Sequence, residues 1–344
     1  MIEYAERYGS GHIHDTYLAA FEENGRTERI ILQRINTGIF RNPVAVMRNI
    51  ERVTAHLRSK LNGVANRDRR VLQLVPVRDG NVLHVDAEGQ YWRAYRFITG
   101  ARTYDAVSSS RQAFEAAKAF GVFQAQLVDL PAPRLEESIP DFHNTTMRFA
   151  ALERAAAADA VRRGEEAQSE IGFAESRRGL AEALADVGLP ERVTHNDTKL
   201  NNVMLDDATG EGICVIDLDT VMPGLSAHDF GDMVRTMTCP AAEDEKDLSE
   251  VTMDFALFDA VLRGYVEGAG SFLTEAERES LIKGAKVIVF EQGIRFLSDY
   301  LAGDTYYKVS RPEQNLDRCR TQFRLLESIE EQEYAMTRLL HSLG

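Results

Sequence analysis

The chain contains little cysteine and no excess of positive charge, and each shortage excludes a class of protein. Its three cysteines, Cys214, Cys239 and Cys319, are widely spaced along 344 residues. An odd number of cysteines at such spacing fits neither a metal knuckle nor a disulfide framework. Acidic residues outnumber basic residues by 54 to 40, which gives a formal net charge of −14. This balance argues against nucleic acid or an anionic membrane as a partner.

Long apolar runs are also missing. The longest are far shorter than the roughly 20 residues that a membrane helix needs. The N-terminal segment MIEYAERYGSG lacks the basic-then-apolar pattern of a secretory signal. Hydrophobic residues make up 44% of the chain and charged residues 27%, which is ordinary for a globular protein. We therefore expect a folded cytoplasmic protein of two domains or lobes, since one domain takes roughly 150 residues.

The secondary-structure pattern changes near Gly100. Before it, short β-branched and aromatic runs predict strands, namely Tyr17–Phe21, Arg29–Arg34, Leu72–Val77, Val82–Val85 and Tyr91–Ile98. One helix, from Pro43 to about Leu61, interrupts them. After Gly100 the spacing predicts helices, namely Ala113–Leu130, a helical hairpin over 147–187, a helix capped by Thr274 that runs to Leu301, and Leu316–Leu340. The sequence therefore predicts an α+β protein, with a β-rich N-lobe over 1–99 and a mainly helical C-lobe over 100–344.

The residues best suited to chemistry lie in one segment, VTHNDTKLNNVMLDDATGEGICVIDLD, which begins at Val193. Its two apolar runs flank a turn-rich stretch and predict an antiparallel hairpin. The predicted register places Asn202 opposite Asp217, so that an amide oxygen and a carboxylate lie side by side. Oxygen ligands of this kind suit Mg²⁺. Asp197 lies in the loop just before the hairpin.

A second carboxylate near such a metal can orient an attacking hydroxyl and accept its proton. Positioning and charge neutralisation are what phosphoryl transfer requires. Taken singly, each of these residues is more often a loop former, and His195 is more often a packed histidine. The complete spacing H-x-D-x-x-x-x-N, followed by an apolar strand and Ile-Asp, favours phosphoryl transfer.

The segments HNDTKLNN and VIDLD resemble the catalytic loop and metal aspartate of the aminoglycoside phosphotransferase and choline kinase superfamily, which has a protein-kinase-like fold. The resemblance implies that Asp197 is the catalytic base, that Asn202 and Asp217 bind Mg²⁺, and that ATP is the phosphoryl donor. His195 and Asp229 would then be structural, although Asp229 stands in a DFG sequence. Asp219 stays ambiguous between a contact to the metal shell and a cap of the next turn.

Further blocks, among them GSGHIHDTY, ILQRINTGIF and GIRFLSDYLAGDTYY, resemble the narrower family of N-acetylhexosamine 1-kinases. This resemblance implies transfer of phosphate from ATP to the anomeric hydroxyl of N-acetylglucosamine or N-acetylgalactosamine. Other acceptors stay open: an aminoglycoside, choline, homoserine or another sugar. A catalytically silent nucleotide- or sugar-binding protein is the remaining alternative.

The nucleotide is expected to lie against the N-lobe. Gly9, Ser10 and Gly11 precede a predicted strand, and glycines there let backbone N–H groups approach phosphate oxygens. The strand that should carry a nucleotide lysine reads RIILQR. We expect Gln33 or Arg34 to contact the nucleotide in its place. The adenine is expected near the hinge that follows the strand YWRAYRFI.

The acceptor is expected to lie against a C-lobe helix. Glu291, Arg295 and Asp299 are spaced by four residues, which puts them on one helix face. A solvated ladder of ion pairs is the ordinary interpretation of such spacing, but the resemblance of this block to hexosamine kinases favours a sugar site. We expect Arg295 and Asp299 to bind the sugar, Tyr306 to form a stacking wall and His12 to contact the sugar or phosphate from across the cleft.

Overall fold

The computed structural model describes residues 2–9, 13–23, 25–185 and 187–343. Its N-terminal part is an antiparallel sheet of five strands in the spatial order β1-β2-β3-β5-β4. The strands are β1 (Ile2–Arg7), β2 (Asp15–Glu23), β3 (Arg26–Arg34), β4 (His84–Val85) and β5 (Tyr91–Arg96). Helix α1 (Pro43–Lys60) begins where the Asn42 side chain accepts the Ala45 N–H (3.1 Å), and it packs its apolar face into the core.

The run predicted as a strand at Leu72–Val77 forms only a single bridge, between Leu74 and Tyr95 of β5. The run carries Pro76, which has no N–H to donate and cannot continue a hydrogen-bonded ladder. The next predicted run shortens to the two residues of β4. The sheet is therefore built mainly from β1, β2, β3 and β5.

The C-terminal part is mainly helical. Its helices are α2 (Ser110–Leu127), α3 (Thr145–Ala158), α4 (Gln168–Ser176), α5 (Ser226–Met237), α6 (Phe255–Ala269), α7 (Glu275–Leu301) and α8 (Gln314–Ser342). Its strands are β6 (Ala101–Arg102), β7 (Arg192–Thr194), β8 (Val203–Asp206), β9 (Gly212–Val215) and β10 (Met222–Gly224). This order confirms the predicted α+β architecture, while the lobe boundary at residue 99 stays a prediction. Within the described ranges, no helix has the length and apolar character needed to cross a bilayer.

The helical hairpin expected over 147–187 is shorter and less regular than predicted. Helix α3 ends at Asp159, which has a left-handed φ of 36°. The Asp159 carboxylate then accepts the backbone N–H groups of Arg163 (2.8 Å) and Gly164 (2.9 Å). Aspartate side chains compete with the helix for backbone donors in this way, so an irregular turn separates α3 from α4.

Two helix pairs of the C-terminal part pack with their backbones in contact. A Cβ atom on Gly264 of α6 would lie 2.2 Å from the carbonyl oxygen of Phe114 on α2, and one on Gly231 of α5 would lie 2.4 Å from the carbonyl oxygen of Gly284 on α7. Helix α7 begins with the predicted capping box of Thr274 and Glu277. The contact between Gly231 and Gly284 holds α5 against α7, and the contact at Gly264 holds α6 against α2.

The α2–α6 contact predicts that a substitution at Gly264 will lower stability, whereas the same substitution at a glycine outside this contact will not. Gly264→Ala should lower the free energy of unfolding by about 1–3 kcal/mol, because its Cβ has no space. Gly172→Ala on α4 is the matched control: nothing lies within 4 Å of the position its Cβ would take. It should raise the free energy of unfolding by up to about 1 kcal/mol through better helix propensity. Urea unfolding measures both, and equal effects would contradict the backbone contact.

Candidate active site

The loop between β7 and β8 carries Asp197. Strand β7 ends at Thr194 and β8 begins at Val203, so the loop lies outside the sheet and can present side chains to a cleft. The Asp197 side chain is 23% exposed, whereas the neighbouring Asn196 and Thr198 are buried. Asp197 is therefore accessible to a bound molecule.

His195 connects this loop to the end of β9. Its Nδ1 accepts the backbone N–H of Asp197 (3.3 Å), which leaves Nε2 to donate to the carbonyl of Ile216 (2.9 Å). The rings of Phe120 and Phe123 pack edge-on against the imidazole, with centroids 5.2 and 6.0 Å away. Both ring nitrogens are occupied, so these contacts are those of a structural histidine.

The buried carboxylate of Asp229, on α5, lies beneath the same loop. It accepts the backbone N–H groups of His195 (2.8 Å) and Asn196 (2.7 Å) and the Gln124 amide (2.6 Å). Burial raises the pKa of Asp229. The bonds support Asn196 in a left-handed conformation, with φ of 65°, which non-glycine residues rarely adopt. Asp229 thus contacts the backbone of the loop, as the resemblance implies.

Sequence reasoning misses two groups beside Asp197. Lys199 Nζ lies 3.1 Å from Asp197 Oδ2, and Asp232 accepts the backbone N–H of Thr198 (2.7 Å). Burial lowers the pKa of Lys199, but the charge of Asp197 outweighs burial, so the pKa is raised. The D-T-K sequence inside the catalytic motif was the available signal for Lys199. The signal for Asp232 was its spacing, since it lies one helical turn after Asp229 and therefore on the same side of α5.

Asn202 holds Asp197 from the other side. Its Nδ2 donates to the Asp197 backbone carbonyl (2.8 Å) and to Oδ2 of the carboxylate (3.0 Å). Asn202 is buried at the end of a short 3₁₀ turn. Because its amide nitrogen is committed, its Oδ1 is the atom left to bind a cation.

The hairpin that joins Asn202 to Asp217 differs from the predicted register by one residue. Val203 pairs with Val215, and the Ile216 N–H donates to the Asn202 carbonyl (2.9 Å). Asn202 therefore lies opposite Ile216 and not Asp217. A β-bulge at Ile213 of β9 interrupts the pairing between Met204 and Leu205 of β8, and such an irregularity leaves no mark in the apolar pattern. Asp217 follows one residue later with a left-handed φ of 59°.

Asp217 is half-buried and surrounded by protein. Among the described residues, no group donates a hydrogen bond to its carboxylate or forms an ion pair with it. Burial raises the pKa of Asp217, and the negative charges of Asp219 and Asp197 raise it further. A carboxylate in such surroundings needs a cation to offset the loss of hydration.

His14, Asp217 and Asp219 offer donor atoms that all lie within 4.8 Å of one another. Two of the three are committed elsewhere. His14 Nδ1 accepts the Asn36 N–H (3.1 Å), so its Nε2 is left to donate towards Asp219, 3.5 Å away, and Asp219 already has an arginine counter-ion. The set that fits Mg²⁺ is therefore Asp217 with Oδ1 of Asn202, since both offer oxygen.

The Asp219 counter-ion is Arg93 of β5. Its Nη1 and Nη2 donate to the two Asp219 oxygens at 2.7 and 2.5 Å, and its Nε donates to Gln33 Oε1 at 3.0 Å. Both side chains are almost completely buried. Burial raises the pKa of Asp219, but the charge of Arg93 and the hydrogen bond from His14 outweigh burial, so the pKa is lowered. This contact resolves the ambiguity of Asp219, which binds an arginine.

Gln33 and Arg34 point to opposite faces of β3, as successive strand residues do. Gln33 lies on the inner face, where its Nε2 donates to Thr16 Oγ1 (3.1 Å) and its Oε1 meets Arg93. Arg34 forms an ion pair with Asp15 on the other face and is 42% exposed. Arg34 therefore does not take the place of the missing lysine, and a nucleotide contact by Gln33 stays a prediction.

Gly9 has a φ of 80°, and no atom of the described residues lies within 4 Å of the position its Cβ would take. A left-handed backbone favours glycine at this point, where the chain leaves β1. Ser10, Gly11 and His12 lie outside the described residues. Their expected contacts to phosphate and acceptor, and the adenine position after β5, stay predictions.

The face of α7 that carries Glu291 and Asp299 is buried, so its interpretation as a solvated ladder of ion pairs is wrong. Glu291 and Asp299 are only 1% and 5% exposed. The Glu291 carboxylate accepts from His143 Nδ1 (2.9 Å) and from Thr145 Oγ1 (2.6 Å). The other nitrogen of His143 lies 3.3 Å from the Asn196 carbonyl. Glu291 therefore connects α7 to the catalytic loop.

Asp299 has a different role from the one expected. It accepts the backbone N–H groups of Thr305 (2.9 Å), Tyr306 (2.8 Å) and Tyr307 (2.9 Å), and Asn315 Nδ2 (3.0 Å). A carboxylate has about four acceptor positions, so these bonds leave none for a sugar. Asp299 orders the loop that follows α7.

Arg295 lies between two aromatic rings on the same helix face. Its guanidinium carbon lies 5.4 Å from the centroid of Phe142 and 5.9 Å from that of Tyr307. Its hydrogen bond is to Gln292 Oε1 (3.3 Å), and among the described residues no carboxylate pairs with it. Tyr306, beside Tyr307, is 60% exposed, so its stacking role stays a prediction.

A cavity of 450 Å³ opens beside the catalytic loop. It is lined in part by Lys199, Asn201, Arg235, Glu243 and Gln322. Asn201 Oδ1 and Gln322 Oε1 are buried oxygens without a hydrogen-bond donor. Such groups cost about 1–3 kcal/mol each when unpaired, so they favour a ligand that carries hydroxyl or N–H donors.

The surroundings of Asp217 predict how charge affects stability. In metal-free protein, Asp217→Asn should raise the free energy of unfolding at neutral pH by on the order of 1–2 kcal/mol. The folded-state pKa of Asp217 is raised, so the wild type gains stability as pH falls through that pKa. The advantage of the variant should therefore shrink on acidification. Urea unfolding with chelator present measures it, and a pH-independent difference would contradict the assignment.

Comparisons with known proteins show the family and the fold of this chain. The sequence model of a phosphotransferase enzyme family, APH, matches residues 5–278. A microcompartment-associated aminopropanol kinase has a TM-score of 0.57 and 14% identity, over 97% of this chain and 93% of that one. A spectinomycin phosphotransferase in complex with ADP and spectinomycin has a TM-score of 0.54 and 14% identity, over 96% of this chain and 94% of that one. A choline/ethanolamine kinase family protein from Mesorhizobium loti has a TM-score of 0.55 and 17% identity, over 99% of this chain and 92% of that one.

These similarities extend over nearly the whole chain and confirm the predicted two-lobed, protein-kinase-like fold. The family match covers most of the sequence, from the first strand to the start of α7. The chain therefore belongs to the phosphotransferase enzyme family and is an enzyme of the small-molecule kinase type.

Proposed function

We propose that this enzyme transfers the γ-phosphoryl group of ATP to the anomeric hydroxyl of an N-acetylhexosamine, with Mg²⁺ as cofactor. The ADP held by the similar spectinomycin phosphotransferase supports a nucleoside triphosphate as donor. The half-buried, unpartnered Asp217 together with Asn202 supports the metal. Mg²⁺ bound there would neutralise charge on the transferring phosphoryl group.

Asp197 orients the sugar hydroxyl and accepts its proton as the new bond between sugar oxygen and γ-phosphorus forms. The bond from that phosphorus to the bridging oxygen of ADP breaks at the same time, so ADP leaves. Asn202 Nδ2 and Lys199 Nζ, both about 3 Å from Asp197 Oδ2, hold the carboxylate in one orientation. The Lys199 charge also lies close enough to attract the transferring phosphoryl group.

Arg295 is the observation that favours a neutral acceptor. Kinases of choline, ethanolamine and aminopropanol act on amines, which are cations at neutral pH. A guanidinium that no carboxylate of the described residues pairs with repels such a cation. A sugar offers hydroxyl and acetamide oxygens that an arginine can bind, and the Phe142 and Tyr307 rings suit the apolar face of a pyranose.

A screen of acceptors tests this proposal. With ATP and Mg²⁺, N-acetylglucosamine and N-acetylgalactosamine should give ADP release and a product labile to mild acid, as expected for phosphate at the anomeric carbon. Glucose, homoserine, choline, ethanolamine and an aminoglycoside form the comparison set. Turnover with a cationic acceptor at higher kcat/KM than with either hexosamine would contradict the proposal.

Asp197→Asn should lower kcat by at least ~100-fold, because both orientation and proton acceptance are lost. ADP affinity should stay within about threefold of wild type, since Asp197 acts on the acceptor. Coupled-assay kinetics and calorimetric ADP binding measure the two quantities. Asp259→Asn, which removes an exposed carboxylate on α6, is the control for the loss of one charge. A variant that keeps a third of wild-type kcat would rule out Asp197 as the base.

Arg295→Ala should raise KM for the sugar by tenfold or more, since a charged hydrogen bond contributes about 1.5–3 kcal/mol. KM for ATP should hardly change. Arg177→Ala is the matched control, because Arg177 also lies over an aromatic ring, 3.7 Å from the centroid of Phe173, but between α4 and α8. If both variants leave KM for the sugar unchanged, Arg295 does not bind the acceptor.

A further inference from the structure

Arg93 lies beside the β3 position at which the expected nucleotide lysine is missing. It lies on β5 directly opposite Gln33 of β3, and its side chain is 1% exposed. The two side chains meet through Nε of Arg93 and Oε1 of Gln33 (3.0 Å). The inner face of the sheet therefore still presents a cation, but from the neighbouring strand.

The guanidinium of Arg93 leaves the sheet and binds the C-terminal part of the chain. Its two terminal nitrogens make parallel hydrogen bonds of 2.7 and 2.5 Å to Asp219, which lies in the 3₁₀ turn Leu218–Thr220 next to Asp217. His14, which immediately precedes β2 and is stacked on Phe40, lies 3.5 Å from the same carboxylate. Strand β5 and the residue before β2 thus hold the turn next to Asp217.

We infer that Arg93 is a positioning residue that fixes Asp217 through Asp219, and that it joins the two lobes without touching the nucleotide. The inference rests on the proposed kinase function. Three of the five guanidinium N–H groups are used by Gln33 and Asp219, and the group is buried. A phosphate could reach Arg93 only if the bidentate pair broke, because no accessible donor remains.

The pair of Arg93 and Asp219 also explains why two carboxylates with a single residue between them can lie at the proposed metal site. Asp217 and Asp219 would repel each other and compete for a cation if both were free. Arg93 neutralises Asp219, so a single carboxylate is left facing the cleft. A lysine on β3 would supply one point charge, whereas the arginine fork sets the orientation of the carboxylate as well as its charge.

The test compares Arg93→Met, Asp219→Asn and the double variant Arg93→Met/Asp219→Asn. Each is measured for thermal unfolding, for ADP affinity without acceptor, and for kcat and KM for ATP. Arg93→Met alone should lower kcat by 100-fold or more and should lower the melting temperature, since it leaves a buried carboxylate unpaired. The double variant should have a kcat within about tenfold of that of Asp219→Asn, because Arg93 acts through Asp219, and its ADP affinity should stay within threefold of wild type.

Two outcomes of the double variant would overturn the inference. A folded double variant whose ADP affinity and KM for ATP are both tenfold or more worse would mean that Arg93 contacts the nucleotide directly. A folded double variant with normal ADP affinity but a kcat more than tenfold below that of Asp219→Asn would mean that Arg93 does not act through Asp219. If Arg93→Met fails to fold, the double variant still decides, because its buried pair carries no net charge.

A second buried pair serves as the control. Arg192 and Glu277 are joined by two hydrogen bonds of 2.9 Å at the start of α7, away from the metal site. Arg192→Met/Glu277→Gln should lower the melting temperature and leave KM for ATP unchanged.

If the wild-type enzyme turns over none of the acceptors, the proposed function itself is refuted. That result is distinct from the outcomes of the double variant, which test the Arg93 inference.

Discussion

The active site depends on the hydrogen bonds that the buried carboxylate of Asp229 accepts from the loop that carries Asp197. A carboxylate removed from water is stable only when donors surround it, and here two of the donors are backbone N–H groups of the catalytic loop. Helix α5, which carries Asp229, is pressed against α7 at Gly231 and Gly284. The loop that presents Asp197 is therefore held by helix packing in the C-terminal part, and a shift of α5 would move it.

Two carboxylates around the loop have a cation beside them: Lys199 lies beside Asp197, and Arg93 binds Asp219. Among the described residues, Asp217 has neither an ion-pair partner nor a hydrogen-bond donor, although burial and two like charges oppose its ionisation. This imbalance is a reason to expect a cation at Asp217, and it explains why the neighbouring acid must be neutralised from within the protein.

Much of the fold and of the catalytic loop can be predicted from the sequence, because the signals are local. The capping box at Thr274 and the proline at Pro43 mark helix starts that the structure shows. The register of the β8–β9 hairpin cannot be predicted to the residue, since a bulge shifts it. The role of Asp299 is equally hidden, because the loop that occupies its oxygens folds back only after α7 has ended.

The sequence by itself determined the class of fold and the position of the candidate catalytic motif, because Asp197, Asn202 and Asp217 lie within one short segment whose spacing is set by a loop and a hairpin. Only the tertiary structure decided what neutralises Asp219 and which face of β3 turns inward. Arg93 and Asp219 are 126 residues apart in the chain, and no local pattern connects them. They meet because the sheet packs over the loop, and a buried carboxylate there requires a donor that only this packing supplies.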